Sequence, residues 1–84
     1  MSHIKINIVT QQSFVYTHYF TCNQLKRLED LLINGGKKRI NNQYFTIQNS
    51  ALLLFKGKKF SGPNYAMDIE KALKEVQLKL KEHC

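Results

Sequence analysis

Lys37, Lys38 and Arg39, followed by Lys56, Lys58 and Lys59, are the residues of this chain whose types and spacing suggest chemistry. They stand between Leu31 and Met67, a stretch without aspartate or glutamate, and they supply six of the seven net positive charges. Lysine and arginine gathered in this way can neutralise phosphates or meet an acidic protein surface. Phe60 directly follows Lys59, and an aromatic beside cations can stack on an unpaired base. The competing reading is a solvated loop and strand edge, where lysine guards against unwanted pairing and Phe60 closes the rim of a small core. Charge concentrated in one window, rather than scattered, favours a binding surface.

No other constellation supports a reaction. Cys22 begins a helix, where a thiol pKa falls, and His18 lies four residues earlier, but no acid is placed to orient them. A small residue filling the first turn is the simpler reading of Cys22. His3, His18, His83, Cys22 and Cys84 show neither CxxC nor HxxxH spacing, so no metal is expected. His18 shares a face with Phe14 and Phe20 and is expected at the rim of the core, hydrogen-bonded. Glu29 and Asp30 are adjacent on a helix and diverge, while Asp68, Glu70, Glu75 and Glu82 are interspersed with lysines on a solvated face. The chain is therefore expected to be no enzyme and to need no cofactor.

Known nucleic-acid signatures are also missing. Gly57-Lys58-Lys59-Phe60 lacks the second glycine of a GXXG loop, and Lys56-Gly57 is not followed by the aromatic-glycine pattern of an RRM strand. Gly35-Gly36-Lys37-Lys38 lacks the upstream glycine and the Ser/Thr of a phosphate-binding P-loop. The functional expectation rests on charge and shape alone. It is a non-catalytic module whose Lys37, Lys38, Arg39, Lys56, Lys58, Lys59 and Phe60 bind nucleic acid. The alternative is a protein-binding inhibitor or adaptor of the mobile-element type, docking the same patch on an acidic or nucleic-acid-handling protein.

The elements that position these residues can be read from periodicity. Ile4, Ile6 and Ile8 alternate with polar residues, as in a half-buried strand, and Phe14–Phe20 is rich in aromatic and β-branched residues. A three-residue loop, Gln11 to Ser13, sets Ile4, Ile6 and Ile8 opposite Phe20, His18 and Tyr16, which unites more apolar surface than a two-residue loop does. Thr21 with Gln24 forms a capping box, Phe20 and Leu25 a hydrophobic staple, and Leu25, Leu28, Leu31 and Leu32 the buried stripe of a helix ending at Asn34-Gly35-Gly36.

Beyond the glycines two versions compete. In one, Gln43–Gln48 and Ala51–Lys56 form a hairpin across Asn49-Ser50, and extending its ladder carries Lys58 and Lys59 toward Asn41 and Ile40. In the other, Asn41-Asn42 is a turn as well, and Lys37–Ile40 adds a strand. Gly57 to Asn64 reads as a loop. Ala66, Ile69, Leu73, Val76 and Leu80 then follow the spacing of one helical face from Tyr65 to Glu82. Met67 and Leu78 fall off that stripe and are candidates for a protein interface.

The expected architecture is α+β, one compact domain over residues 1–84 in the order β-β-α-β-β-α, with one extra short strand in the second version. A small antiparallel sheet carries both helices on one face. No apolar run is long enough to span a bilayer and no secretory signal is visible. Two cysteines make no disulfide framework, so thiols in a cytoplasmic setting are expected. Expected partners are nucleic acid or an acidic protein, no membrane, and a second copy of the chain as a candidate.

Overall fold

A computed structural model describes residues 3–84. The chain runs β1 (Ile4–Val9), β2 (Val15–Phe20), α1 (Cys22–Asn34), β3 (Lys37–Ile40), β4 (Gln43–Gln48), β5 (Ala51–Phe55), β6 (Asn64–Asp68) and α2 (Ile69–His83). The class is α+β. The antiparallel structure falls into two sheets rather than one: β1-β2, and a meander in the order β3-β4-β5-β6. A bridge between Thr10 and Met67 links them, and the Gln11 N–H donates to the Ala66 carbonyl at 3.0 Å.

The first hairpin takes the three-residue loop. Ile4, Ile6 and Ile8 pair with Phe20, His18 and Tyr16, and the Thr10 N–H donates to the Phe14 carbonyl at 2.7 Å. Ser13 occupies the left-handed position, at φ 70°, which glycine more often fills. The inward residues are buried. The outward face leaves Phe14 66%, Val15 60% and Tyr19 53% exposed. β2 pairs with β1 alone, so its other edge is open apart from the Asn41 amide, which donates to the Tyr19 carbonyl at 3.2 Å.

α1 begins as its sequence dictates. Thr21 accepts from the Gln24 N–H at 3.2 Å and Gln24 Oε1 accepts from the Thr21 N–H at 2.9 Å. Leu25, Leu28, Leu31 and Leu32 are buried. Gly35 and Gly36, at φ 77° and 100°, then turn the chain sharply into β3 through a conformation that side chains resist.

The meander version is the one adopted. Asn41-Asn42 at φ 52° and 63°, and Asn49-Ser50 at φ 51° and 62°, both form turns with two left-handed residues, the geometry that suits the twist of tight hairpins. Phe45 and Ile47 face Leu54 and Leu52 as their alternation requires.

The last helix starts later than its periodicity suggests. Tyr65 and Ala66 belong to β6, which pairs with β5 so that Met67 lies opposite Leu52 and Tyr65 opposite Leu54. Asp68 caps α2, accepting from the Lys71 N–H at 3.0 Å. The three-residue step from Ala66 to Ile69 mimics a helical turn, but the backbone of β6 completes the free ladder of β5. Met67 is consequently 0% exposed within the core. It cannot serve as an interface residue, whereas Leu78 remains 48% exposed.

One core holds both sheets and both helices together. Ile6, Ile8, Phe20, Leu28, Phe45, Leu52, Met67 and Val76 are all members of it. α1 packs on α2 and β3, and α2 packs on β1.

The cysteines also depart from expectation. Cys22, first residue of α1, is bonded to Cys84, with Cα atoms 6.0 Å apart and 62 positions between them in sequence. Packing of the two helices sets the start of α1 beside the end of α2, which brings the sulfurs together. No reactive thiol stands at the head of α1.

Candidate nucleic-acid interface

Strand β3 splits its cations by alternation. Lys38 points to the side of α1, where its Nζ lies 3.1 Å from Asp30 Oδ2. Lys38, together with an Asn34 amide donating at 2.6 Å, holds the Asp30 carboxyl below its ordinary pKa. Lys38 is thus paired and does not join the free cations expected of it.

Lys37 and Arg39 share the opposite face with Tyr44 and Phe55. After β5 the chain leaves the sheet, and the Gly57–Pro63 loop folds back over this face. Phe60 lands edge-on to Tyr44, with ring centroids 4.8 Å apart at 84°, and to Phe55 at 6.3 Å and 80°, the arrangement aromatic quadrupoles favour. The Lys37 ammonium stands 5.5 Å from the Phe60 ring centroid and the Arg39 guanidinium 5.9 Å from that of Tyr44. Lys58 and Lys59 are exposed on the covering loop. The two basic stretches therefore meet through the added strand and the folded-back loop, not through a ladder extended from Asn49-Ser50. Phe60 itself is half-buried, spending much of its ring on Tyr44 and Phe55.

Sequence reading missed one cation here. Arg27 of α1 donates from Nη2 to the Arg39 carbonyl at 2.9 Å, while Arg39 Nη2 donates to Asn42 Oδ1 at 2.7 Å. The signal was the short Gly35-Gly36 junction, which forces β3 to return beside α1.

Lys56 turns away from this group. Its Nζ sits 4.5 Å from the centroid of Tyr65 and holds the Tyr65 phenol below its usual pKa, with Tyr16 adding to the effect. Tyr16, whose ring centroid is 4.4 Å from that of Tyr65, is pushed up by the same neighbour.

These three residues edge a cleft of about 340 Å³ between β2 and the ends of β4, β5 and β6. His18, Gln43, Asn42, Leu54 and Phe55 also line it. His18 is 6% exposed, stacked on Phe20 at 5.4 Å and set against the edge of Phe45 at 6.1 Å. It is a core residue, not the hydrogen-bonded rim histidine expected. His18 Nε2 and Gln43 Oε1 are both buried without a hydrogen-bond partner. Gln43 comes near enough to favour the protonated ring, yet burial is the larger effect and lowers the His18 pKa. Near contact without hydrogen-bond geometry leaves both atoms open.

A pH dependence follows from this burial. The unfolded imidazole takes its proton near pH 6.5 and the folded one only at lower pH. In the interval the unfolded chain holds the extra proton, so stability is full above about pH 6.5 and declines as pH falls below it. Urea unfolding at a series of pH values is expected to show this slope, at most about 1.4 kcal/mol per pH unit from one site. His18→Gln removes that component; an unchanged slope in the variant would assign it elsewhere.

A second groove, of about 420 Å³, is bordered by His3, Lys5, Cys22, Lys79 and His83. Among the described residues no three potential ligands gather to hold a metal ion. No helix is long and apolar enough to cross a membrane.

The class defined by these features is a small α+β domain bearing a cationic-aromatic sheet face beside a polar-edged cleft. No family model, no curated protein and no solved structure matches this chain.

Proposed function

We propose that the domain binds nucleic acid, without catalysing a reaction, through the face formed by Lys37, Arg39, Lys58 and Lys59 around Tyr44 and Phe60. The observation that carries this reading is the gathering of four unpaired cations over an aromatic cluster. Lys37 and Arg39 lie against the rings, and no carboxylate pairs with any of the four among the described residues. Cations of this kind track a phosphate backbone, while ring faces and edges offer sequence-tolerant contact to bases. Lys56 contributes from the adjoining cleft, and Lys38 contributes less because Asp30 already engages it.

The test is a titration with short single-stranded and duplex DNA and RNA at several salt concentrations. Binding should weaken steeply and linearly in log-log form as salt rises. Affinity indifferent to salt, or none at low salt, would remove the reading.

An acidic protein is the second reading, and one observation favours it: Phe14, Val15 and Tyr19 expose apolar surface on the outer face of the first hairpin, more than phosphate contact requires. A partner retained after nuclease treatment, and lost on charge reversal of Lys37 and Arg39, would select it. As to setting, a closed Cys22–Cys84 bond is the state of an oxidising compartment, whereas a cytoplasmic chain carries both as thiols. Counting free thiols in protein quenched directly from its native source separates the two.

A further inference from the structure

We infer that the cleft between β2 and the β4–β6 ends is a pocket for one unpaired nucleobase together with its phosphate. The inference rests on the nucleic-acid reading for its ligand class but on a different part of the molecule for its evidence.

Three features of the cleft define what fits. Tyr16 and Tyr65 form a ring-lined wall, which suits a flat heterocycle. His18 Nε2 and Gln43 Oε1 are two buried polar atoms without partners, and both residues line the cleft. Buried polar atoms in native structures are nearly always satisfied, so an incoming edge that presents a donor beside an acceptor would complete both. Each nucleobase carries such an edge on its pairing side, and only an unpaired base has it free. Lys56 stands exposed at the mouth beside Tyr65, where an anion attached to the base would lie. The volume, about 340 Å³, is within the range of ligand pockets.

The cleft is also contiguous with the cationic face. Asn42 lines the cleft and accepts from Arg39; Phe55 lines the cleft and packs against Phe60. A strand held along Lys37 and Arg39 can therefore turn one base into the pocket. The same chemistry is offered by a free mononucleotide, and the two sources need separate arms.

The experiment follows the His18 imidazole and Gln43 side-chain amide signals by NMR. Titrants are adenosine and uridine monophosphates, single-stranded oligoadenylate and oligouridylate, and a duplex RNA of the same length. Single strands are expected to shift both side chains, and the duplex to leave them in place. Gln43→Leu should weaken single-strand binding by roughly tenfold while duplex binding is unchanged. Lys56→Met, at an exposed site that leaves the core intact, should weaken it several-fold. Shifts with mononucleotides but not with oligonucleotides would keep the pocket and assign its ligand as the free nucleotide, removing the nucleic-acid reading. Single strands that bind without moving His18 or Gln43, or with equal affinity to Gln43→Leu and Lys56→Met, overturn the pocket and leave the cationic face standing. No shift or binding with any titrant at low salt overturns both.

Discussion

Replacing Lys37, Arg39, Lys58 and Lys59 together with glutamine is expected to lower affinity for single-stranded nucleic acid by about 10²–10³ at 0.1 M salt. Each phosphate neutralised contributes about 0.7 to the slope of log affinity against log salt for a single strand, so four lost contacts flatten that slope by about 2.8. The two proteins should then converge near 1 M salt, where counterion release no longer drives association, and that intercept fixes the difference at lower salt. The variant should fold, because three of the four side chains leave the sheet face or loop for solvent and Lys37 only brushes Phe60. Fluorescence anisotropy with a labelled oligonucleotide across the salt series measures both slope and intercept. An unchanged slope would mean that other cations make the contacts, with Arg27 and Lys56 the first to examine.

Opening the Cys22–Cys84 bond should have the largest effect on stability. Its cysteines stand 62 positions apart, and cross-linking a loop of that length restricts the unfolded chain by about 4 kcal/mol in the chain-entropy account, with measured values commonly about 2–4 kcal/mol. For a domain of this size the loss corresponds to a fall in Tm of roughly 10–30 °C. Cys84→Ser, or wild-type protein with a reductant, is expected to show it in a thermal scan. The double variant Cys22→Ser/Cys84→Ser should match either single variant, because all three lack the same cross-link. A reduced protein melting within a degree or two of the oxidised one would show that helix packing alone sets this corner of the fold.

The local signals in the sequence were sound where backbone chemistry and burial agreed. Thr21 with Gln24 marked the helix start to the residue, and Ile4, Ile6 and Ile8 selected their partners on β2 because only one register buries both apolar sets. Asn41-Asn42 and Asn49-Ser50 were legible as turns since asparagine tolerates left-handed geometry. β6 was hidden: Ala66 and Ile69 happen to stand a helical turn apart, and what decides the matter is the open edge of β5, a long-range fact that no local period records. The disulfide was obscured in the same way, because spacing says nothing about two helix ends that tertiary packing brings together. For the candidate site, sequence located the cations but not their directions. Lys38 reaches Asp30 and Lys56 reaches Tyr65 because strand alternation and loop exit, rather than charge, aim them. The cleft around His18 was invisible, since its walls come from β2, β4, β5 and β6 at once.

The order β3-β4-β5-β6 has a kinetic corollary. Every ladder in that sheet joins neighbours in the chain through turns or one modest loop, so each closure costs little entropy and can nucleate locally. The seam between α2 and β1 is the opposite case: it joins distant stretches of the polypeptide, and its assembly must await most of the collapse. Transient opening of the native molecule should begin along that seam, and amide exchange of α2 ahead of β4 and β5 would be its signature.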